Sequence, residues 1–343
     1  MADAVMLLVK THAFGDALMC TPAVRELVRD GRTIWALTGP SASPVWERVQ
    51  GISRVFVAPV PPSGAADGMR LLKWTLGMRG ELRGTDSALV FQGSPFIRRW
   101  VRFLTSSRVV SCGGNSLGSW ETVYPLEPGE LAGQAFARVA GVEVSDWRPE
   151  FPVKEAEMRW AEKLGLPFPL FAIAPGGGRN PRDTVMEKRW MPERYAELAG
   201  RLSSAGIGTV LLGGGDDRAA AAEMARFSSC GLLDMTGRTT WGQTAAILDR
   251  CCGFLGADSG TAHLAAARGI PSVVLFGPSS PSALYPEGLI IPVTACVDCS
   301  PCYSNSLFPG CRNDRALCME SIELEDVWPA LVRVLDNPPE RAE

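Results

Sequence analysis

Short apolar runs alternate along the whole chain with longer stretches in which apolar positions recur at helical spacing. Ala4–Val9 reads as a buried strand and Ala17–Val28 as an amphipathic helix that Pro22 interrupts after its first turn. Thr33–Leu37, Val55–Ala58, Ser87–Gln92 and Arg108–Ser111 follow as strands. Between them lie helical patterns over Pro44–Val49, Leu71–Arg79 and Ile97–Leu104, and a Pro/Gly/Ser-rich loop over Pro59–Gly68. Gly129–Val142 is predicted helical. After the proline-bearing stretch Trp147–Pro152 the alternation restarts. Leu170–Ala174, Thr209–Leu212, Cys252–Gly256 and Ser272–Phe276 read as strands. Pro192–Ala205, Arg218–Ser228, Thr244–Arg250, Gly260–Arg268 and the closing Ile322–Leu335 read as helices.

Repeated strand–helix units imply parallel sheets covered on both faces. The fold class expected is α/β, with two Rossmann-like domains, 1–152 and 153–343, facing a central cleft. A chain of 343 residues supports two domains at roughly 150 residues each. Ligands in such sheets sit beyond the carboxyl ends of the strands, which directs attention to the loops after Val9, Ala174, Leu212, Gly256 and Phe276.

Composition narrows the function classes. Net charge is −3, so no overall basic field would gather nucleic acid. The longest apolar runs are far short of the roughly 20 residues a membrane span needs. With no recognisable leader at the N-terminus, a cytoplasmic location is expected, with at most peripheral contact at the inner face of the membrane. In that compartment the ten cysteines are not a disulfide framework.

Several strand ends carry chemistry. Pro175-Gly176-Gly177-Gly178 can bring backbone N–H groups close to a phosphate, or can simply be a flexible exit. Lys188 and Arg189 precede a helix start, where cations are electrostatically disfavoured and an anionic partner would suit them. Asp216 and Asp217 follow the glycines at 213–215; either can accept from ribose hydroxyls or cap the next helix. In Asp258-Ser259-Gly260-Thr261-Ala262-His263 the first two residues can cap a helix whose free N–H groups face an anion. The other histidine, His12, stands near Gly15 and Asp16. Asp16 can act as a helix cap or as a base toward an acceptor hydroxyl.

Taken in order, these segments resemble glycosyltransferase family nine, the ADP-heptose:lipopolysaccharide heptosyltransferases. The matching pieces are Val9-Lys10 and Phe14-Gly15-Asp16 with Thr21-Pro22, Pro175-Gly176-Gly177-Gly178, Lys188-Arg189-Trp190 with Pro192-Glu193-Arg194, Leu211-Leu212-Gly213-Gly214, Asp234-Met235-Thr236-Gly237, Asp258 to His263, and Leu275-Phe276-Gly277-Pro278. The resemblance implies a GT-B fold and an inverting, metal-independent transfer of a heptose or related sugar from an ADP-sugar. By similarity Asp16 is the general base and Lys188 holds the donor diphosphate. Gly176, Gly177, Gly178, Arg189, Asp216, Asp258, Ser259, Gly260, Thr261 and His263 line the donor pocket, and His12 and Gly15 lie on the acceptor side. The segment Arg179–Glu187 is longer than in the lipopolysaccharide-core enzymes, and the first half matches mainly at its first helix. The acceptor therefore stays open among glycan, lipid-linked, protein and small-molecule hydroxyls.

Five cysteines fall between Cys296 and Cys318. Cys299, Cys302, Cys311 and Cys318 have spacings that can hold a structural zinc or iron, or they are free thiols. Cys20, Cys112, Cys230, Cys251 and Cys252 read as small core residues. A nicotinamide dehydrogenase is disfavoured because no G-x-G-x-x-G follows a strand with an acid about 20 residues later. A GT-B nucleotide-sugar epimerase and a non-catalytic nucleotide-sugar-binding protein remain as alternatives.

Overall fold

The computed structural model describes residues 4–60, 62, 64–127, 129–178, 184–303 and 308–337, in two compact units, 1–150 and 151–343. In the first unit, strands β1 (Val5–Val9), β2 (Thr33–Thr38), β3 (Ile52–Val57), β4 (Ser87–Val90), β5 (Arg108–Cys112) and β6 (Glu121–Tyr124) form one parallel sheet in the order β3-β2-β1-β4-β5-β6. In the second, β7 (Leu170–Ala174), β8 (Gly208–Leu211), β9 (Leu232–Asp234), β10 (Gly253–Ala257), β11 (Ser272–Phe276) and β12 (Ile291–Thr294) are ordered β12-β11-β10-β7-β8-β9. All pairings are parallel among the described residues. This is the α/β, doubled Rossmann-like architecture of the GT-B fold.

The central strands read VMLLV, LFAIA and SVVLF, and helices cover both of their faces, so nearly every side chain is buried. One core gathers Leu7, Val9, Ile97 and Val101; the other gathers Phe171, Ile173, Tyr195 and Leu255. Each such side chain contributes about 1.5–3 kcal/mol by leaving water.

Several elements differ from the pattern-based reading. The first helix runs Phe14–Arg29 and carries Pro22 inside it. It therefore starts three residues before Ala17, and Asp16 lies in its first turn; the residue before the helix is Ala13, with φ 63°. The segment read as a loop to Gly68 is already helical from Ala65, in a helix that continues to Leu82; residues 61 and 63 lie outside the described residues. Strands β6, β9 and β12 and the helix Glu155–Lys163 were not predicted. β6 is held by a buried pair: Arg98 Nη1 lies 3.0 Å from Glu121 Oε1, which also accepts from Ser111 Oγ at 2.8 Å. Cys20, Cys112, Cys251 and Cys252 are buried, whereas Cys230 is only half-buried.

Candidate active site

Both sheets reverse their strand order at one point, between β1 and β4 and between β7 and β10. Loops leaving neighbouring strands there run in opposite directions and open a crevice. In the second unit that crevice is flanked by the glycine loop after β7 and by Asp258–Ser259 after β10.

The glycine loop is built for close approach. Gly177 and Gly178 have φ of +109° and +83°, a region that L side chains rarely adopt. A Cβ on Gly176 would meet the Asp217 carboxylate, and one on Gly178 would meet the Val185 carbonyl. Asp217 ties this loop to the one after β8. Its Oδ1 accepts from Gly177 N at 2.8 Å and its Oδ2 from Gly214 N at 2.9 Å. Arg189 closes the arrangement, its Nε donating to Gly177 O at 3.0 Å and its Nη2 lying 3.5 Å from Asp217 Oδ1. Asp217 is thus the carboxylate that organises the loop, while Asp216 is exposed in the short turn Gly215–Asp217. Of the segment Arg179–Glu187, residues 179–183 lie outside the described residues.

Asp258 is the electrostatic centre of this unit. It is 4% exposed. Lys188 Nζ donates to its Oδ2 at 2.6 Å and Ser279 Oγ donates to the same atom at 2.7 Å. His263 Nε2 lies 3.6 Å from Oδ1. Burial alone would raise the carboxyl's pKa, but the Lys188 ammonium, with His263, overcomes it and holds Asp258 well below the usual carboxylate range. Lys188 and Arg189 are therefore not a solvated pair at a helix start. Lys188 sits in the turn Met186–Lys188, its Nζ 4.9 Å from the centre of the Tyr303 ring.

Ser259 caps the helix Gly260–Ala267, its side chain accepting from Ala262 N, so the capping role falls to Ser259 and leaves Asp258 for Lys188. Gly260 and Thr261 form the first turn of this helix, where unpaired N–H groups favour an anion. His263 is buried and stacks on Tyr285, with ring centroids 4.4 Å apart and planes within 6°. The Tyr285 hydroxyl is buried with no hydrogen-bond partner among the described residues, and burial pushes its pKa well up. Sequence reasoning missed Ser279 and Tyr285. The signal for Ser279 was its place directly after the Leu275–Pro278 segment, whereas Tyr285 sits in no distinctive motif.

In the first unit Lys10 Nζ lies 2.8 Å from Asp16 Oδ2. The lysine is almost fully buried, whereas the Asp16 side chain is 36% exposed. Burial alone would lower the lysine's pKa; the Asp16 carboxylate outweighs this and raises it above its ordinary value. Gly15 is buried in the same helical turn. His12 Nδ1 is 3.0 Å from Thr11 Oγ1, and Gln92 Oε1, just beyond β4, accepts from Thr11 N at 3.3 Å. The loops after β1 and β4 are thereby joined at the switch point, with the partly open carboxylate of Asp16 nearby in sequence.

Cys299, Cys302, Cys311 and Cys318 line one cavity together with Glu187, Pro278 and Phe308. Burial, then the neighbouring thiols, push Cys318 up to about 11 and raise Cys302. The four sulfurs therefore share one neighbourhood. Among the described residues, however, no three His, Cys, Asp or Glu side chains meet at the geometry of a metal site.

The sequence profile of Glycosyltransferase family 9 (heptosyltransferase) matches residues 131–303. The chain belongs to this family. A family-9 relative, lipopolysaccharide heptosyltransferase 2 of Salmonella typhimurium, is 35% identical over 140 residues. That alignment covers 39% of this chain and 39% of the relative, so the match spans about two fifths of the curated relative's length. Among solved structures, E. coli ADP-heptose lps heptosyltransferase II superposes with a TM-score of 0.74 at 21% identity, covering 97% of this chain and 98% of that one. The iron-containing, dodecameric heptosyltransferase TibC of enterotoxigenic E. coli, solved with ADP-D-beta-D-heptose, reaches 0.58 at 15% identity, covering 97% of this chain and 76% of that one. At these identities the structures show that the fold is shared. Among the described residues no helix is long and apolar enough to cross a membrane.

Proposed function

We propose that this family-9 protein transfers a heptose, or a closely related sugar, from an ADP-sugar to an acceptor hydroxyl in lipopolysaccharide or related glycan synthesis. The transfer inverts the anomeric carbon, and its catalytic step uses protein groups rather than a metal. The observation that carries this reading is the buried Lys188–Asp258 pair beside the glycine loop and the N-terminus of the helix Gly260–Ala267. A leaving diphosphate needs charge stabilisation that is already in place when the bond breaks. Lys188, the N–H group of Gly178, and the first turn of that helix supply it, while Asp217 keeps the Gly177 N–H to hold the loop in shape and Asp258, Ser279 and His263 hold the ammonium and the sugar end in register. Arg189 fixes the glycine loop through Gly177 and Asp217. Gly176, Ser259, Gly260 and Thr261 complete the donor side, and Asp216 is exposed where it can accept from the ribose.

Asp16 is the base. It takes the proton of the acceptor hydroxyl as that oxygen bonds to the anomeric carbon; the bond from that carbon to the diphosphate oxygen breaks, and ADP leaves. Lys10 holds one carboxylate oxygen and leaves the side chain partly open, and His12 and Gly15 shape the same turn. The test is acceptor-dependent release of ADP from ADP-heptose, with Asp16→Asn as the diagnostic variant. The variant should retain donor binding and lose about 10²–10⁴-fold in turnover, the range of general-base catalysis. Unchanged turnover removes Asp16 from the role, and consumption of donor without acceptor identifies an epimerase instead.

The thiols of Cys299, Cys302, Cys311 and Cys318 are proposed as a structural site for zinc or iron. Their donor set suits such an ion and they share one cavity, although their described spacing must contract to hold it. No catalytic step involves it. Elemental analysis of the purified chain should find about one metal per chain, lost in Cys302→Ser; metal-free, fully folded protein refutes the site.

A further inference from the structure

Large exposed apolar side chains are normally scattered singly over a protein surface. In the first unit five of them gather on two neighbouring helices, Ala65–Leu82 and Pro95–Thr105: Met69, Leu72, Leu76, Phe96 and Phe103, each 45–68% exposed. Positions 69, 72 and 76 fall on one stripe of the first helix, and 96 and 103 on one stripe of the second. The adjoining sides of both helices are buried, through Leu71, Thr75 and Leu82 on one and Ile97, Val101 and Leu104 on the other.

The two stripes adjoin. Trp74 and Trp100 meet with ring centroids 5.9 Å apart, and Trp100 Nε1 donates to Thr75 Oγ1 at 2.8 Å. The Arg79 guanidinium lies 4.0 Å from the centre of the Phe103 ring, and its Nε donates to the Phe103 carbonyl at 3.0 Å. Cations punctuate the surface: Lys73 and Arg99 are exposed on the same stripes, with Arg79 and Arg102 at their edges. The second helix contains no acid. The two acids of the first, Asp67 and Glu81, pair with Arg70 and Arg54. In a chain of net charge −3 this face is therefore basic as well as apolar.

We infer that this two-helix face docks the protein on a bilayer carrying anionic headgroups. Apolar side chains interleaved with Lys and Arg suit the headgroup–acyl boundary, where the rings and aliphatic chains enter and the cations reach phosphates. A second copy of the chain fits less well, because a two-fold contact would set the cations of this face against one another. The inference stands on this surface alone and does not depend on the transfer chemistry proposed above.

The test is co-sedimentation of the intact chain with vesicles of phosphatidylethanolamine and phosphatidylglycerol, and separately with vesicles of phosphatidylcholine. The wild type should bind the anionic vesicles in a salt-sensitive way and bind phosphatidylcholine weakly. Each cation near an anionic surface contributes about five-fold in partitioning, so Lys73→Gln/Arg99→Gln should lower it about 25-fold. Leu72→Ser/Phe103→Ser should lower it at least about ten-fold, with Met69→Gln as a milder variant should the double change impair folding. Since these side chains are exposed, melting temperatures should stay within about 2 °C of the wild type. Absence of vesicle binding, or binding that both double variants leave unchanged, overturns the inference. A concentration-dependent dimer abolished by the same variants, without vesicle binding, assigns the face to a second copy instead.

Discussion

Replacing Asp258 by Asn tests whether Lys188 is held by a buried charge. Asn keeps the size and can still accept from Ser279, but it removes the carboxylate that lies 2.6 Å from Lys188 Nζ. Breaking a buried ion pair by deleting one partner costs about 3–5 kcal/mol, because the other charge is left uncompensated. The Lys188 side chain is 12% exposed and can turn partly toward solvent, so the lower end, about 3 kcal/mol, is expected. For a unit of this size that corresponds to a fall in melting temperature of about 6–12 °C. The pH dependence has a definite sign. Asp258 is depressed in the folded protein, so its contribution is fully present above the unfolded value of about 3.9 and is lost only as pH falls toward the lower folded value. The difference between wild type and variant should therefore be flat from pH 8 to 5 and shrink below about pH 4. Denaturant melts of the wild type, Asp258→Asn, Lys188→Met and the double variant complete the cycle. A coupling of at least about 1.5 kcal/mol is expected. Additive effects, or a loss below about 0.5 kcal/mol, would mean that the pair is screened like a surface bridge and that Lys188 is not held by a buried charge.

Gly178→Ala forces a side chain into a positive-φ position and against the Val185 carbonyl, so it should cost at least about 2 kcal/mol in denaturant melts, whereas Gly31→Ala, with open space at a comparable φ, should cost only about 1 kcal/mol. Equal losses at the two sites would show that the Gly178 contact is not tight. Lys10→Met should cost about 1 kcal/mol, because the Asp16 it leaves behind still reaches water. Lys10 is raised in the folded protein, so its contribution is complete below the unfolded value near 10.4 and declines only as pH passes the higher folded value; the wild-type advantage over Lys10→Met should be constant from pH 7 to 10. An advantage that fades between pH 8 and 9 would contradict that raised state.

Strands β7 and β11 were legible from end to end because five consecutive buried residues leave the pattern no other reading. Strand β6, with the sequence ETVY, was not, because its charged first residue is buried against a partner charge, Arg98, which lies 23 positions earlier, with Ser111 completing the pair. β9 and β12 are short edge strands, and the second carries a proline in its pattern. The glycine loop and the segment from Asp258 to His263 stood out in the sequence because they follow strands at the end of the sheet where ligands of this architecture sit. What sequence did not expose is pairing over distance. Lys188 meets Asp258 across 70 positions, and His263 finds Tyr285 only because successive strand ends converge. Choosing between Asp216 and Asp217 likewise required knowing that the carboxylate of Asp217 turns back to Gly177.

The most direct test of the central claim is calorimetric titration of the purified chain with ADP, UDP and GDP and with their sugar conjugates. ADP and ADP-heptose should bind in preference to the others, and Lys188→Met should weaken ADP at least about ten-fold by removing a charge-assisted contact to the diphosphate. Preference for UDP or GDP, or ADP affinity indifferent to Lys188, would contradict the donor site proposed for this unit.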